Sequence, residues 1–229
     1  MLALSAPDAP RGRVYIRSKP KRGHSGKAPL HEEADISTKI VDVTSAQPLA
    51  NVNRRAFSPM HIERGQAYSA PDGEKYACYE HYWQSLKHFP NRPHDVDKAW
   101  WRTKTKAHRC LPKVGPDTCL YAADEARFPG EVFGYVESRK KFYVPDYGAW
   151  LDSSRRADER FDEMRYWLRR GWDVIVSDFD GPRDADGQPL IEEVTVELLR
   201  DKINDVAHPY GHGYVVAAKL LGIPIEDYD

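Results

Sequence analysis

The stretch YACYEHYWQSLKHF, residues 76–89, sets a carboxylate, an amide and an amine among large aromatic rings. On a helix, offsets of four and seven from Glu80 bring Gln84 and Lys87 to one face, with Trp83 at its edge. The plain reading of such a row is the solvated side of an amphipathic helix. The aromatic neighbours give it a second reading. A carboxylate desolvated beside rings holds its proton more tightly, which suits general acid or base chemistry.

Further chemistry-bearing residues lie in the second half. In VIVSDFDGPR, Asp178 and Asp180 follow an apolar run, similar to the first motif of haloacid-dehalogenase phosphatases, in which the first Asp is the nucleophile. Pro182 stands where that motif carries Thr or Val, and little chain remains for its later elements, so the phosphatase reading ranks below the others. In YVESRKKFYVPDYG, a strand would put Glu137 and Arg139 on one face, with Tyr143 nearby. In HPYGH, Pro209 and Gly211 argue against a helix, so His208 and His212 do not form a helical zinc pair, and His212 reads as a polar site residue. Cys78, Cys110 and Cys119 lack CxxC spacing, which argues for a reducing compartment, no disulfide framework and no metal.

Charge is near balance, with a formal net of −1, but its distribution is uneven. The first 31 residues hold seven Lys or Arg against one acid, and residues 98–113 are again basic, with Trp100 and Trp101 among the cations. Basic residues interleaved with aromatics suit single-stranded nucleic acid. No apolar run approaches the roughly 20 residues a membrane helix needs, and the N-terminal apolar stretch is short for a signal peptide, so a cytoplasmic protein with no membrane partner is expected.

The elements that must hold these residues read as follows. Residues 1–33, rich in Pro, Gly, Ser, Lys and Arg, form a flexible basic arm with RVYI as a short strand within it. A strand is expected over 36–43, loops and short strands over 47–76 with PDG as a turn, and helices over 76–89 and 94–109. Residues 131–151 read as β or mixed structure interrupted at Pro145. The clearest helix spans 153–171, with Phe161, Met164, Trp167 and Leu168 as its stripe and Gly171 as its stop. A buried strand at 172–180, a helix at 194–206 and an apolar helix or strand at 213–222 complete the chain. Together they make a single α+β domain over 34–229, mainly helical with short strands.

The segment from Leu49 to Phe89 resembles the NADAR family of N-glycosidases. That family reads roughly L-S-N-F, S-P-x-x-I, a glycine, then Y-x-T-x-E-H-Y-x-Q-x-x-K-F. This chain has LAN at 49–51, SPMHI at 58–62, Gly65 and YACYEHYWQSLKHF at 76–89, with Cys78 in place of the Thr and His88 inserted between Lys87 and Phe89. The middle segment YVESRKKFYVPDYGAWL is similar to a branch of uncharacterised phage and large-virus proteins. The resemblance implies a NADAR-like fold and a hydrolase of ADP-ribose or phosphoribosyl N-glycosidic bonds that needs no cofactor; ADP-ribosyl-guanine in nucleic acid is one candidate substrate.

On that reading Glu80 steadies the ribosyl cation or activates water, and Asp178 or Asp180 is a second carboxylate. Lys87 and Arg139 meet phosphate or ribose. Trp83 stacks, and Asn51 and Gln84 hydrogen-bond sugar or base. Glu137, Tyr143 and His212 line the site. The rival is a nucleotide or nucleic-acid binding protein without catalysis, holding nucleic acid through the arm and residues 98–113.

Overall fold

The computed structural model describes residues 12–20, 37–62, 67–108, 111 and 119–229. In chain order its elements begin with β1 (Val14–Ser18), β2 (Thr38–Asp42), α1 (Val52–Phe57), β3 (Tyr68–Ser69), β4 (Lys75–Tyr76) and α2 (Tyr79–Ser85). There follow β5 (Lys87–His88), α3 (His94–Arg102), β6 (Tyr121–Ala122), α4 (Tyr135–Ser138), a π-helical turn (Arg139–Tyr143) and α5 (Val144–Asp152). The last are α6 (Arg155–Arg169), β7 (Asp173–Asp178), β8 (Ile191–Glu193), α7 (Val196–Asn204) and α8 (His212–Leu221). The chain is mixed α+β. It divides into two compact units, Met1–Phe57 with Leu151–Asp229, and Ser58–Trp150, where the sequence reads as one domain from residue 34.

The first unit is built on a sheet of order β2-β7-β1-β8. β7 runs parallel to both β1 and β2, and β8 closes antiparallel against β1. Strands buried in a parallel arrangement read as continuous apolar runs, and Val174, Ile175 and Val176 supply one. β1 overturns part of the expected arm. Val14 to Ser18 are all buried, Arg17 and Ser18 included, and they pair along their whole length with Val174 to Asp178. The short strand expected at RVYI is present as β1, and it is central to the sheet and not part of a flexible arm. The rest of the arm, residues 1–11 and 21–33, lies outside the described residues.

α6 forms where it is expected, although Trp167 of the expected stripe is only half-buried. The Ser154 hydroxyl accepts from the Ala157 amide at the N-cap, and Ala157, Phe161, Met164 and Leu168 are its buried face. Phe161 packs on Phe57 of α1, ring centroids 5.1 Å apart. Gly171 takes a φ of +83° just past the end. The apolar segment near the C-terminus is the helix α8, buried along nearly its whole length.

The second unit opens on the PDG turn: β3 and β4 form a hairpin pairing Tyr68 with Tyr76, and Gly73 takes a φ of +80°. α2 and α3 are shorter than expected, ending at Ser85 and Arg102. Residues 135–152 correct the β reading, since α4, the π turn and α5 follow one another without a break. Pro145 is compatible with that run. Val144 donates back to Arg139 across the widened turn, and Pro145, which has no N–H to give, falls in the first turn of α5. Glu137 and Arg139 are therefore helical neighbours, not partners on one strand face.

The interior of this unit carries a charged knot. Arg127 donates to Asp124 Oδ2 at 2.7 Å, to both oxygens of Asp146 at 2.7 Å, and to the Tyr82 hydroxyl at 2.9 Å. Tyr82 in turn donates to Asp124 at 3.0 Å. Both carboxylates are buried. Breaking a buried ion pair leaves a charge with no counter-ion, at about 3–5 kcal/mol. Arg127→Met is therefore expected to lower stability by about that amount in urea unfolding; a change within the roughly 0.5 kcal/mol of an ordinary surface substitution would refute the role given to the knot.

Candidate functional site

The expected site residues fall in both units. In the first, Asp178 ends β7 with only 2% exposure. Its Oδ1 accepts from the Phe179 amide at 2.7 Å, and its Oδ2 from the Gly213 amide at 2.8 Å. The His212 Nδ1 stands 3.2 Å from the same Oδ2, while its Nε2 meets the Val43 carbonyl at 2.9 Å. The helix α8 thus begins on the Asp178 carboxylate, where backbone amides and the helix dipole favour an anion. The approach is close enough to need glycine, because a Cβ on Gly213 would lie 2.8 Å from the Asp178 Cβ. The geometry gives Asp178 and His212 a structural role, fastening β7, α8 and the end of β2. Asp180, two residues on, packs against Gly211. Asn51 is likewise engaged locally, its Oδ1 capping α1 by accepting from the Asn53 and Arg54 amides at 2.9 and 3.1 Å. A carboxylate that the sequence reading passed over, Asp42, accepts from Lys19, Gln47 and Thr44 at the end of β2.

In the second unit Glu80, Gln84, Trp83, Lys87 and Tyr143 come together. The Gln84 amide donates to Glu80 Oε1 at 2.7 Å. Lys87 lies beyond the end of α2, in β5, and not on the helix face its spacing implied. Pairing of Lys87 with Ala122 in β6 fixes its backbone. Its amine nevertheless returns to α2, with Nζ 5.0 Å from the centre of the Trp83 ring. Trp83 is buried and packs on Tyr143 at 5.2 Å, and Tyr143 stacks on Tyr147 at 6.0 Å. Burial pushes the Lys87 amine below its ordinary range, and the charge of Glu80 opposes that shift. The result is a carboxylate steadied by an amide beside an amine that releases its proton more readily than a surface lysine.

The remaining expected residues sit apart in character. Glu137 is exposed on α4. Arg139 is 2% exposed and lies under the Tyr135 ring, 4.1 Å from its centre, so it is a buried cation and not a surface hook for phosphate. In the basic stretch, Lys98 pairs with Asp72 at 2.8 Å and Arg102 with Glu74 at 2.6 Å, while Lys104 covers Trp100 at 4.4 Å. Two of the cations expected to meet nucleic acid are thus already committed to acids of the β3–β4 segment; Arg109 and Lys113 lie outside the described residues. Among the described residues no group of three or more His, Cys, Asp and Glu is arranged to hold a metal ion.

Two histidine clusters near α2 escaped the sequence reading. The rings of His88 and His94 stack 3.5 Å apart, with Tyr121 a further 4.5 Å from His88. His81, on α2, is fully buried; its Nε2 accepts from the His108 amide at 3.3 Å, and its ring lies 5.2 Å from that of Trp101. Histidines spread over four segments of a loop-rich stretch carry no periodic signal that would have joined them.

Over residues 25–190 the chain matches the model of a family of unknown function, DUF6939, and it belongs to that family. No curated protein and no solved structure matches it.

Burial, with the nearby His108 adding to it, pushes the His81 imidazole down to about 4. A histidine whose folded value lies below its unfolded one, about 6.5, binds its proton preferentially when unfolded. Its contribution is complete above pH 6.5 and declines as pH falls toward 4. The full effect of such a shift is about 3 kcal/mol. Denaturant unfolding between pH 7 and 4 should therefore show a fall that is shallower in His81→Gln, which keeps an acceptor for the His108 amide. Equal slopes in the two chains would rule His81 out as its source.

Proposed function

We propose that this chain hydrolyses the N-glycosidic bond of a ribosyl phosphate compound, of the ADP-ribose or phosphoribosyl class, in a NADAR-like manner. The observation that carries this reading is the cluster Glu80–Gln84–Lys87–Trp83, a carboxylate and a proton-releasing amine held against buried rings in one compact unit. Cleavage of such a bond develops positive charge at the anomeric carbon and negative charge on the departing base. A carboxylate stabilises the first and aligns the attacking water; an acid neutralises the second. In this reading Glu80 faces the sugar, the Gln84 amide fixes its orientation, and Lys87 gives its proton to the leaving base. Asp178, engaged by the start of α8, takes no part.

The test is incubation of the full chain with NAD⁺, a phosphoribosyl-aminopyrimidine and DNA carrying ADP-ribosyl-guanine, with EDTA present, followed by mass spectrometry of released ribose phosphate or ADP-ribose. Release from one of them is expected, reduced roughly 10²- to 10⁴-fold in Glu80→Gln. Tight binding without release would make the cluster a recognition face of a nucleotide-binding protein. Release that is unchanged in Glu80→Gln would discard the mechanism.

A further inference from the structure

Four residues at a spacing of four, Tyr135, Arg139, Tyr143 and Tyr147, run along the continuous helical segment from α4 through the π turn into α5. Their burial changes sharply along the row. Tyr147, Tyr143 and Arg139 are buried, whereas Tyr135 is 48% exposed. The Tyr135 ring is held from beneath by the buried Arg139 guanidinium at 4.1 Å, and its backbone by Ser138, whose hydroxyl donates to the Tyr135 carbonyl at 2.9 Å. The inner end of the row meets the candidate site directly, through Tyr143 on Trp83 and Trp83 on Lys87.

A second path leads from the same lysine to the same tyrosine. Lys87 pairs with Ala122, and Ala122 bridges to Phe133, so three backbone segments lie abreast with Tyr135 two residues further on. Two strand spacings make about 10 Å between Lys87 and the Phe133 backbone. Tyr135 itself takes no part in the Glu80–Gln84–Lys87–Trp83 cluster and stands exposed at the outer end of the row that leads from it. That placement suits a second flat ring on a ligand held by the cluster.

We infer that Tyr135 is a stacking platform for the distal base of a bound nucleotide, and that it sets the specificity of the site for ligands that carry one. This rests on the glycosidase reading only for where the scissile bond lies. An aromatic ring backed by a guanidinium is held in place with its outer face open, and base–aromatic stacking tolerates any base. Compounds ending in a ribose phosphate with no second base would gain nothing from it.

The test is calorimetric titration of ADP-ribose and of ribose 5-phosphate into the full chain, into Tyr135→Ala and into Tyr135→Phe. ADP-ribose should bind Tyr135→Ala roughly 10-fold more weakly, while Tyr135→Phe keeps most of the affinity. Ribose 5-phosphate should bind all three chains alike. The inference is overturned if ADP-ribose does not bind the unaltered chain, if it binds Tyr135→Ala equally well, or if both ligands weaken together. Because the readout is binding, a chain that binds ADP-ribose through Tyr135 yet cleaves nothing would refute the glycosidase and leave the platform standing.

Discussion

Arg127 is the residue on which the second unit depends. Its guanidinium meets Tyr82 of α2, Asp124 of the segment after β6 and Asp146 of α5. Those three elements carry, or directly adjoin, every member of the candidate cluster: Glu80, Trp83 and Gln84 on α2, Lys87 paired with β6, and Tyr143 leading into α5. Hydrogen bonds to Arg127 hold the Asp124 carboxyl below the usual carboxylate range, and the same contacts hold the guanidinium charged. Burying these groups is costly in isolation and tolerable only as a complete set. Three elements are therefore locked in one relative placement, which a site with a carboxylate and an amine at fixed separation requires.

Around that knot the unit is packed with aromatic rings more than with aliphatic chains. Tyr68, Tyr76, Tyr79 and Tyr82 contact one another at 5.4–6.2 Å, and Tyr79 donates its hydroxyl to the Tyr143 carbonyl at 2.9 Å. Tyrosine buries a large ring and anchors it with a directional bond, so it positions neighbours more narrowly than leucine does. The low dielectric of such a wall also drives the Lys87 amine toward its neutral form. One feature of composition thus serves both packing and chemistry.

The legible parts of the fold were those whose signal is local and periodic. The stripe of α6, the buried run of β7, the PDG turn and the aromatic polar row of α2 could be read because each is complete within a short window. β1 was legible as a short strand at RVYI, but its central place in the sheet was not, because its five buried residues include Arg17 and Ser18 and lie between basic flanks. Residues 135–152 were misread because Pro145 and the β-branched and aromatic residues favour strands by type, while a π turn that accommodates the proline leaves no mark in composition. Lys87 was given the wrong element. The helix stops at Ser85, and the amine reaches Trp83 from a strand.

Asp178 shows how one arrangement of residues can be read for chemistry or for packing. In sequence it looks like a reactive carboxylate, since an acid closing an apolar strand beside a glycine is how several nucleophiles are presented. In the structure the same features serve capping. The apolar strand buries the acid, Gly213 lets α8 begin against it, and donors from Phe179 and Gly213 with the His212 imidazole surround its oxygens. Glu80 has the opposite history. It sits in the first turn of α2, where a solvated acid complementing the helix dipole is the ordinary expectation, yet its surroundings are an amide donor and a half-buried lysine with a depressed affinity for its proton. What separates the two acids is what satisfies them. The Asp178 carboxylate is met by backbone amides that fasten a strand to a helix, whereas the Glu80 carboxylate is met by the Gln84 side chain with the Lys87 amine nearby.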